Sequence, residues 1–114
     1  MGVEEPFRIT TTHAPDRVIV KVEGELDLLN APLLERRLAE PAVEQAAALV
    51  LDLRGLSFSD STGLRAIFAA RNAAYTRGQP FAVTPSSEQV QRLLTITHLA
   101  EHLNTIASPA DALS

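Results

Sequence analysis

Apolar residues in this chain follow two periods, and where the period changes an element boundary is expected. Between Arg17 and Glu23, Val18, Val20 and Val22 alternate with Ile19 and Lys21, the period-two pattern of a strand. Phe7 to Thr12 predicts a strand before it, and the turn-like Ala14-Pro15-Asp16 joins the two into a hairpin that Gly24 is expected to end. Asn30-Ala31-Pro32 predicts a helix start: Asn accepts from free N–H groups, and Pro fits the first turn. Leu33, Leu34 and Leu38 supply its apolar stripe, and Pro41 is expected to end or kink it.

Ala47 to Leu53 is a continuous apolar run, as expected of a central strand buried on both faces. A polar loop is expected over Arg54 to Asp60, then a helix from about Ser61 to Arg77 with Leu64, Ile67, Phe68, Ala74 and Tyr75 mostly on one side. Gly78 stands where a left-handed residue closes a helix. Phe81 to Thr84 predicts a fourth strand. Ser86-Ser87-Glu88-Gln89 fits a capping box, with Ser86 as cap and Gln89 reaching back. Val90, Leu93 and Leu94 form the buried side of the helix that follows. Leu103 to Ile106 predicts an edge strand, and Ser108-Pro109 the start of a short helix. The order β-β-α-β-α-β-α-β-α implies an α/β domain, a mixed central sheet with an N-terminal hairpin and packed helices.

Length and composition narrow the function. A chain of 114 residues suits one domain, with residues 1–6 and 108–114 expected to be loosely ordered. No apolar run approaches the length of a bilayer span, and Met1 to Phe7 lacks the apolar core of a signal peptide, so a cytoplasmic protein without membrane partners is expected. The absence of cysteine excludes disulfides, thiolate metal sites and a cysteine nucleophile. A formal net charge of −4, with no Trp and one Tyr, gives no reason to expect direct nucleic acid binding. No Gly-rich phosphate loop is present, and neither a cofactor nor a metal is expected.

Two polar segments each follow an apolar strand and precede a helix, where function gathers in open α/β sheets. One is Glu23-Gly-Glu-Leu-Asp-Leu-Leu-Asn-Ala-Pro32; the other runs from Leu49 through Ser59-Asp-Ser-Thr-Gly63 to Leu64. The hydroxyl of Ser61, at the expected helix start, either caps the helix or takes a phosphate. A phosphate there would meet the positive end of the helix dipole and add about −1.5 to −2 charge beside Asp60. Asp27 and Asp60 read alternatively as a carboxylate pair for acid–base work, but no nucleophile or ligand set accompanies them. Glu25 and Asp27 also read as solvated loop carboxylates, and Asp52 as an acceptor for neighbouring backbone N–H groups. His98 and His102 have a metal-like spacing but read more simply as surface or helix-end residues, His13 as a turn residue, and Arg36-Arg37 as a solvated helix face.

Gly24-Glu25-Leu26-Asp27 and Ser59-Asp60-Ser61-Thr62-Gly63-Leu64, at this separation and in this element order, resemble the STAS family, in particular bacterial anti-sigma factor antagonists. The resemblance covers nearly the whole chain. It implies that Ser61 is phosphorylated by an anti-sigma factor that is also a serine kinase, with Thr62 as the secondary hydroxyl, and that a serine phosphatase reverses the step. It also implies a contact face built from Asp27, Leu28, Asn30, Asp60, Ser61, Thr62 and Gly63, and a regulatory protein rather than an enzyme. The alternative within the family is a scaffold subunit of a stress-signalling or lipid-transport complex without phosphoswitching. The chain departs from many relatives at His98, where they have Gly and a positive φ is expected.

Overall fold

The computed structural model describes residues 7–113; the expectation of loose order for residues 1–6 and Ser114 lies outside them. Strands β1 (Arg8–Ala14) and β2 (Arg17–Leu26) form the antiparallel hairpin, turning at Pro15-Asp16. Helix α1 (Ala31–Leu38) and the short α2 (Pro41–Glu44) follow, then β3 (Leu49–Asp52), β4 (Leu56–Ser59), α3 (Ser61–Thr76), β5 (Phe81–Val83) and α4 (Glu88–Ile96), with a 3-10 turn at Ala100–His102. The sheet has the order β1-β2-β3-β5, with β3 parallel to both neighbours, and β4 pairs in parallel with β2. The expected mixed α/β architecture is the one observed.

Burial follows the alternation along β2. Val18, Val20, Val22 and Leu26 pack with Leu49 and Leu51 of β3, and helices α1, α3 and α4 cover this face with Leu34, Leu64, Ile67, Val90 and Leu94. The opposite face carries Val50 and Ala82, covered by Ile106 with Ile19 and Leu113 against them. All four residues of β3 are buried, as its continuous apolar run requires.

Several boundaries differ from expectation. Gly24 does not end β2. It takes φ 94°, and the pairing register with β4 shifts there, so the strand continues to Leu26. The expected loop Arg54–Asp60 contains β4, whose Leu56 is buried while Ser57 and Phe58 face out. Pro41 ends α1 and opens α2 rather than kinking a single helix. Ser87, not Ser86, caps α4, accepting from the Val90 N–H, and Gln89 reaches elsewhere. The expected edge strand over Leu103–Ile106 is a single parallel bridge, Thr105 to Val83. Ser108-Pro109 opens no helix: its turn is closed by the Ser108 N–H on Asp111 Oδ2 (3.0 Å). The Arg17 guanidinium donates to the Pro109 and Asp111 carbonyls at 2.9 and 2.6 Å and holds this segment to the start of β2.

Two expectations about left-handed residues hold. Gly78 closes α3 at φ 71°, and His98, after α4, has φ 61°.

Candidate functional site

Parallel pairing of β2 with β4 brings Leu26 opposite Ser59, so the two polar segments leave the sheet side by side. Asp60 joins them. Its N–H donates to the Leu26 carbonyl at 3.2 Å, and its Oδ2 accepts from the Leu28 N–H at 3.3 Å. Oδ1 of the same carboxylate accepts from the Gly63 N–H at 2.8 Å and caps α3. The capping role open to Ser61 is therefore filled by Asp60. Ser61 is the first residue of α3 and solvent-exposed, and among the described residues no hydrogen bond engages its hydroxyl. Thr62 is half-buried.

The facing loop is organised by Asp27. Its Oδ1 accepts from the Leu29 and Asn30 N–H groups, both at 3.0 Å, and its carbonyl accepts from Ala31 at 2.8 Å. Asn30 stands at the N-cap position of α1, but its side chain does not cap. It donates to the Glu25 carbonyl at 2.9 Å. Asp27 and Asp60 are thus both acceptors for backbone N–H groups, which is an organising role rather than an acid–base one. Leu28 and Leu29 are 69% and 82% exposed, two apolar side chains standing in water beside the Ser61 turn.

Gly63, one residue of the expected contact face, packs closely against the ends of β2 and β4. It is buried, and a Cβ there would stand 2.5 Å from the Leu26 carbonyl oxygen and closer still to Ser59 Oγ. Its lack of a side chain lets the start of α3 approach the ends of β2 and β4.

Residues 8–112 match the STAS domain family. The chain belongs to that family. It is 33% identical to the anti-sigma-B factor antagonist of Bacillus subtilis over 88 residues, covering 77% of this chain and 80% of that protein. It is 29% identical over 114 residues to the anti-sigma-F factor antagonist RsfB of Mycobacterium tuberculosis, covering 100% and 93% respectively. Among solved structures, an anti-sigma factor antagonist from Mycobacterium paratuberculosis superposes with a TM-score of 0.83 at 25% identity, over 97% of this chain and 96% of that one.

The other polar candidates of this STAS domain lie apart from the Ser61 turn. Asp52, at the end of β3, accepts from the Arg54 N–H (3.2 Å), the Arg54 guanidinium (2.9 and 3.0 Å) and the Thr84 hydroxyl (3.1 Å). Burial pushes this carboxyl up, but the Arg54 and Thr84 hydrogen bonds outweigh it and hold the pKa below the ordinary value. His98 follows α4 and His102 ends the 3-10 turn, so their spacing is not that of one helix face. Among the described residues no group of three or more His, Cys, Asp or Glu side chains could hold a metal, and no helix is long and apolar enough to cross a membrane.

Leu29 lies within the loop Asp27 to Asn30 that the resemblance implies as contact face. The part of Gln89 in the site region escapes the reading of the sequence: it fits a capping box, but it hydrogen-bonds the backbone of Ser59, a partner remote in sequence.

Proposed function

We propose that this protein is a cytoplasmic anti-sigma factor antagonist whose face around Ser61 binds an anti-sigma factor and is switched off when that factor, acting as a serine kinase, phosphorylates Ser61. The observation that carries the reading is the hydroxyl of Ser61: exposed, unengaged among the described residues, and first in a helix whose cap is supplied by another side chain. Its modification removes no hydrogen bond found among the described residues. Relatives at 33% and 29% identity bear the antagonist name, as does the structural neighbour with a TM-score of 0.83.

The physics of the switch is local. A phosphate on Ser61 is accommodated by the N-terminal dipole of α3, so the fold persists. Beside Asp60 it raises the negative charge of a face whose apolar contacts are Leu28 and Leu29. That charge must be desolvated, or repels an acidic partner group, when the interface closes. A serine phosphatase restores the binding form.

Calorimetry with the cognate anti-sigma factor tests this. Ser61→Asp binds at least tenfold more weakly than wild type, a loss of about 1.4 kcal/mol, while Ser61→Ala binds like wild type because Asp60 retains the cap. Equal affinities for Ser61→Asp and wild type refute the proposal.

A further inference from the structure

Among the described residues the outer edge of β4 has no neighbouring strand, yet its last residue is paired as if it had one. Gln89 Oε1 accepts from the Ser59 N–H at 3.0 Å, and Gln89 Nε2 donates to the Ser59 carbonyl at 3.1 Å. One side-chain amide thus satisfies both main-chain groups of one residue, which an adjacent strand would otherwise do. Beside it, the Ser87 hydroxyl donates to the Ser57 carbonyl at 2.9 Å. The first turn of α4 and the residue before it therefore lie along the β4 edge, held there by side chains.

Ser59 is buried and stands immediately before Asp60-Ser61. The backbone entering α3 is fixed on one side by the Asp60 N–H on the Leu26 carbonyl, and on the other by Gln89 on Ser59. Without Gln89, the buried N–H and carbonyl of Ser59 lose their partners and the turn relaxes toward water to find others. The direction in which the first residue of α3 points then becomes variable. Phosphoryl transfer requires the attacking oxygen to be held in line, so orientation enters the rate more than the affinity.

We infer that Gln89 is a positioning residue for Ser61: by pairing with the backbone of Ser59 it sets the direction in which the Ser61 hydroxyl is presented to the phosphorylating partner. The inference rests on the reading of Ser61 as phosphoacceptor. It assigns to α4, which contributes nothing to the proposed contact face, a part in the efficiency of the switch.

Gln89→Met keeps the length and bulk of the side chain and removes both hydrogen bonds. Gln89→Glu keeps the acceptor and sets a carboxylate oxygen against the Ser59 carbonyl, and serves as a second variant should one fold poorly. Wild type and variants are compared by backbone hydrogen exchange and by steady-state phosphorylation with the cognate kinase and ATP. In both variants exchange at Ser59 to Gly63 is expected to rise about tenfold or more while Leu49 to Leu51 are unchanged, and kcat to fall about tenfold with KM near wild type. If wild type is labelled on Ser61 and the folded variants match its kcat and KM, the inference fails and the phosphoswitch stands. If wild type takes no label on Ser61, the phosphoswitch itself fails, and the inference with it. Exchange rising equally at Leu49 to Leu51 makes Gln89 a general stabiliser of the fold and also overturns the inference.

Discussion

Asp52 and Asp60 both stand where a parallel strand ends, and both accept backbone N–H groups, yet their surroundings are opposite. Asp52 is 2% exposed, and its acceptors are taken up by Arg54 and Thr84 from its own turn and the neighbouring strand end. Asp60 is half-buried and spends its carboxylate joining two loops, through Leu28 and Gly63. The first turn closes its carboxylate on its own neighbours, Arg54 and Thr84. The second leaves an exposed hydroxyl and two exposed leucines beside an organised backbone. Of the two strand-end carboxylates, the one beside the proposed switch is the one whose hydrogen bonds leave a neighbouring hydroxyl unengaged among the described residues.

The comparison breaks hardest under the first turn. Leu51 is fully buried in β3, and Leu51→Ala should cost roughly 2–5 kcal/mol through lost burial and the cavity left behind. A denaturant titration reads this as a lower midpoint, and the folded fraction should still accept phosphate on Ser61.

Acid sharpens the contrast next. The Asp52 carboxyl titrates below its ordinary value in the folded chain, so the folded state favours its ionised form. The stability this contributes is fully present above the unfolded-state pKa of about 4 and is lost as pH falls through the lower, folded value. Urea midpoints measured from pH 7 down to 3 should show this acid limb, and Asp52→Asn should flatten it. An unchanged limb in that variant would place the acid sensitivity elsewhere.

Asp27→Ala is the smallest of these perturbations to the fold. It removes the acceptor for two N–H groups in a partly exposed loop, at a cost of about 1 kcal/mol. Its effect should be seen instead in weaker binding of the anti-sigma factor, because Leu28 and Leu29 lose the turn that presents them. A loss of stability equal to that of Leu51→Ala, with normal binding by the folded fraction, would make Asp27 purely structural.

How legible these features were depends on the range of the interactions that cause them. The hairpin, β3 and α3 follow from local alternation and periodicity, and their positions in the sequence predict them to within a few residues. β4 was hidden although Leu56-Ser57-Phe58-Ser59 alternates, because it is short and lies between Arg54 and Asp60, which read as loop. Gly24 reads as a breaker from its type alone, whereas β4 beside it makes a shifted register possible and keeps the strand going. For Ser61, the helix start was legible and the cap was not. Choosing between Ser61 and Asp60 needs the backbone geometry of the turn, which the pairing of β2 with β4 sets. Gln89 fits a capping box by spacing, but Ser59, distant in the chain, takes its amide.

The most direct test of the central claim is to incubate the protein with its cognate anti-sigma kinase and ATP and to map the phosphate by mass spectrometry. One phosphate on Ser61 is expected, with label transfer largely abolished in Ser61→Ala. Phosphate on Thr62 or Ser59 with none on Ser61, or undiminished labelling of Ser61→Ala, would contradict it.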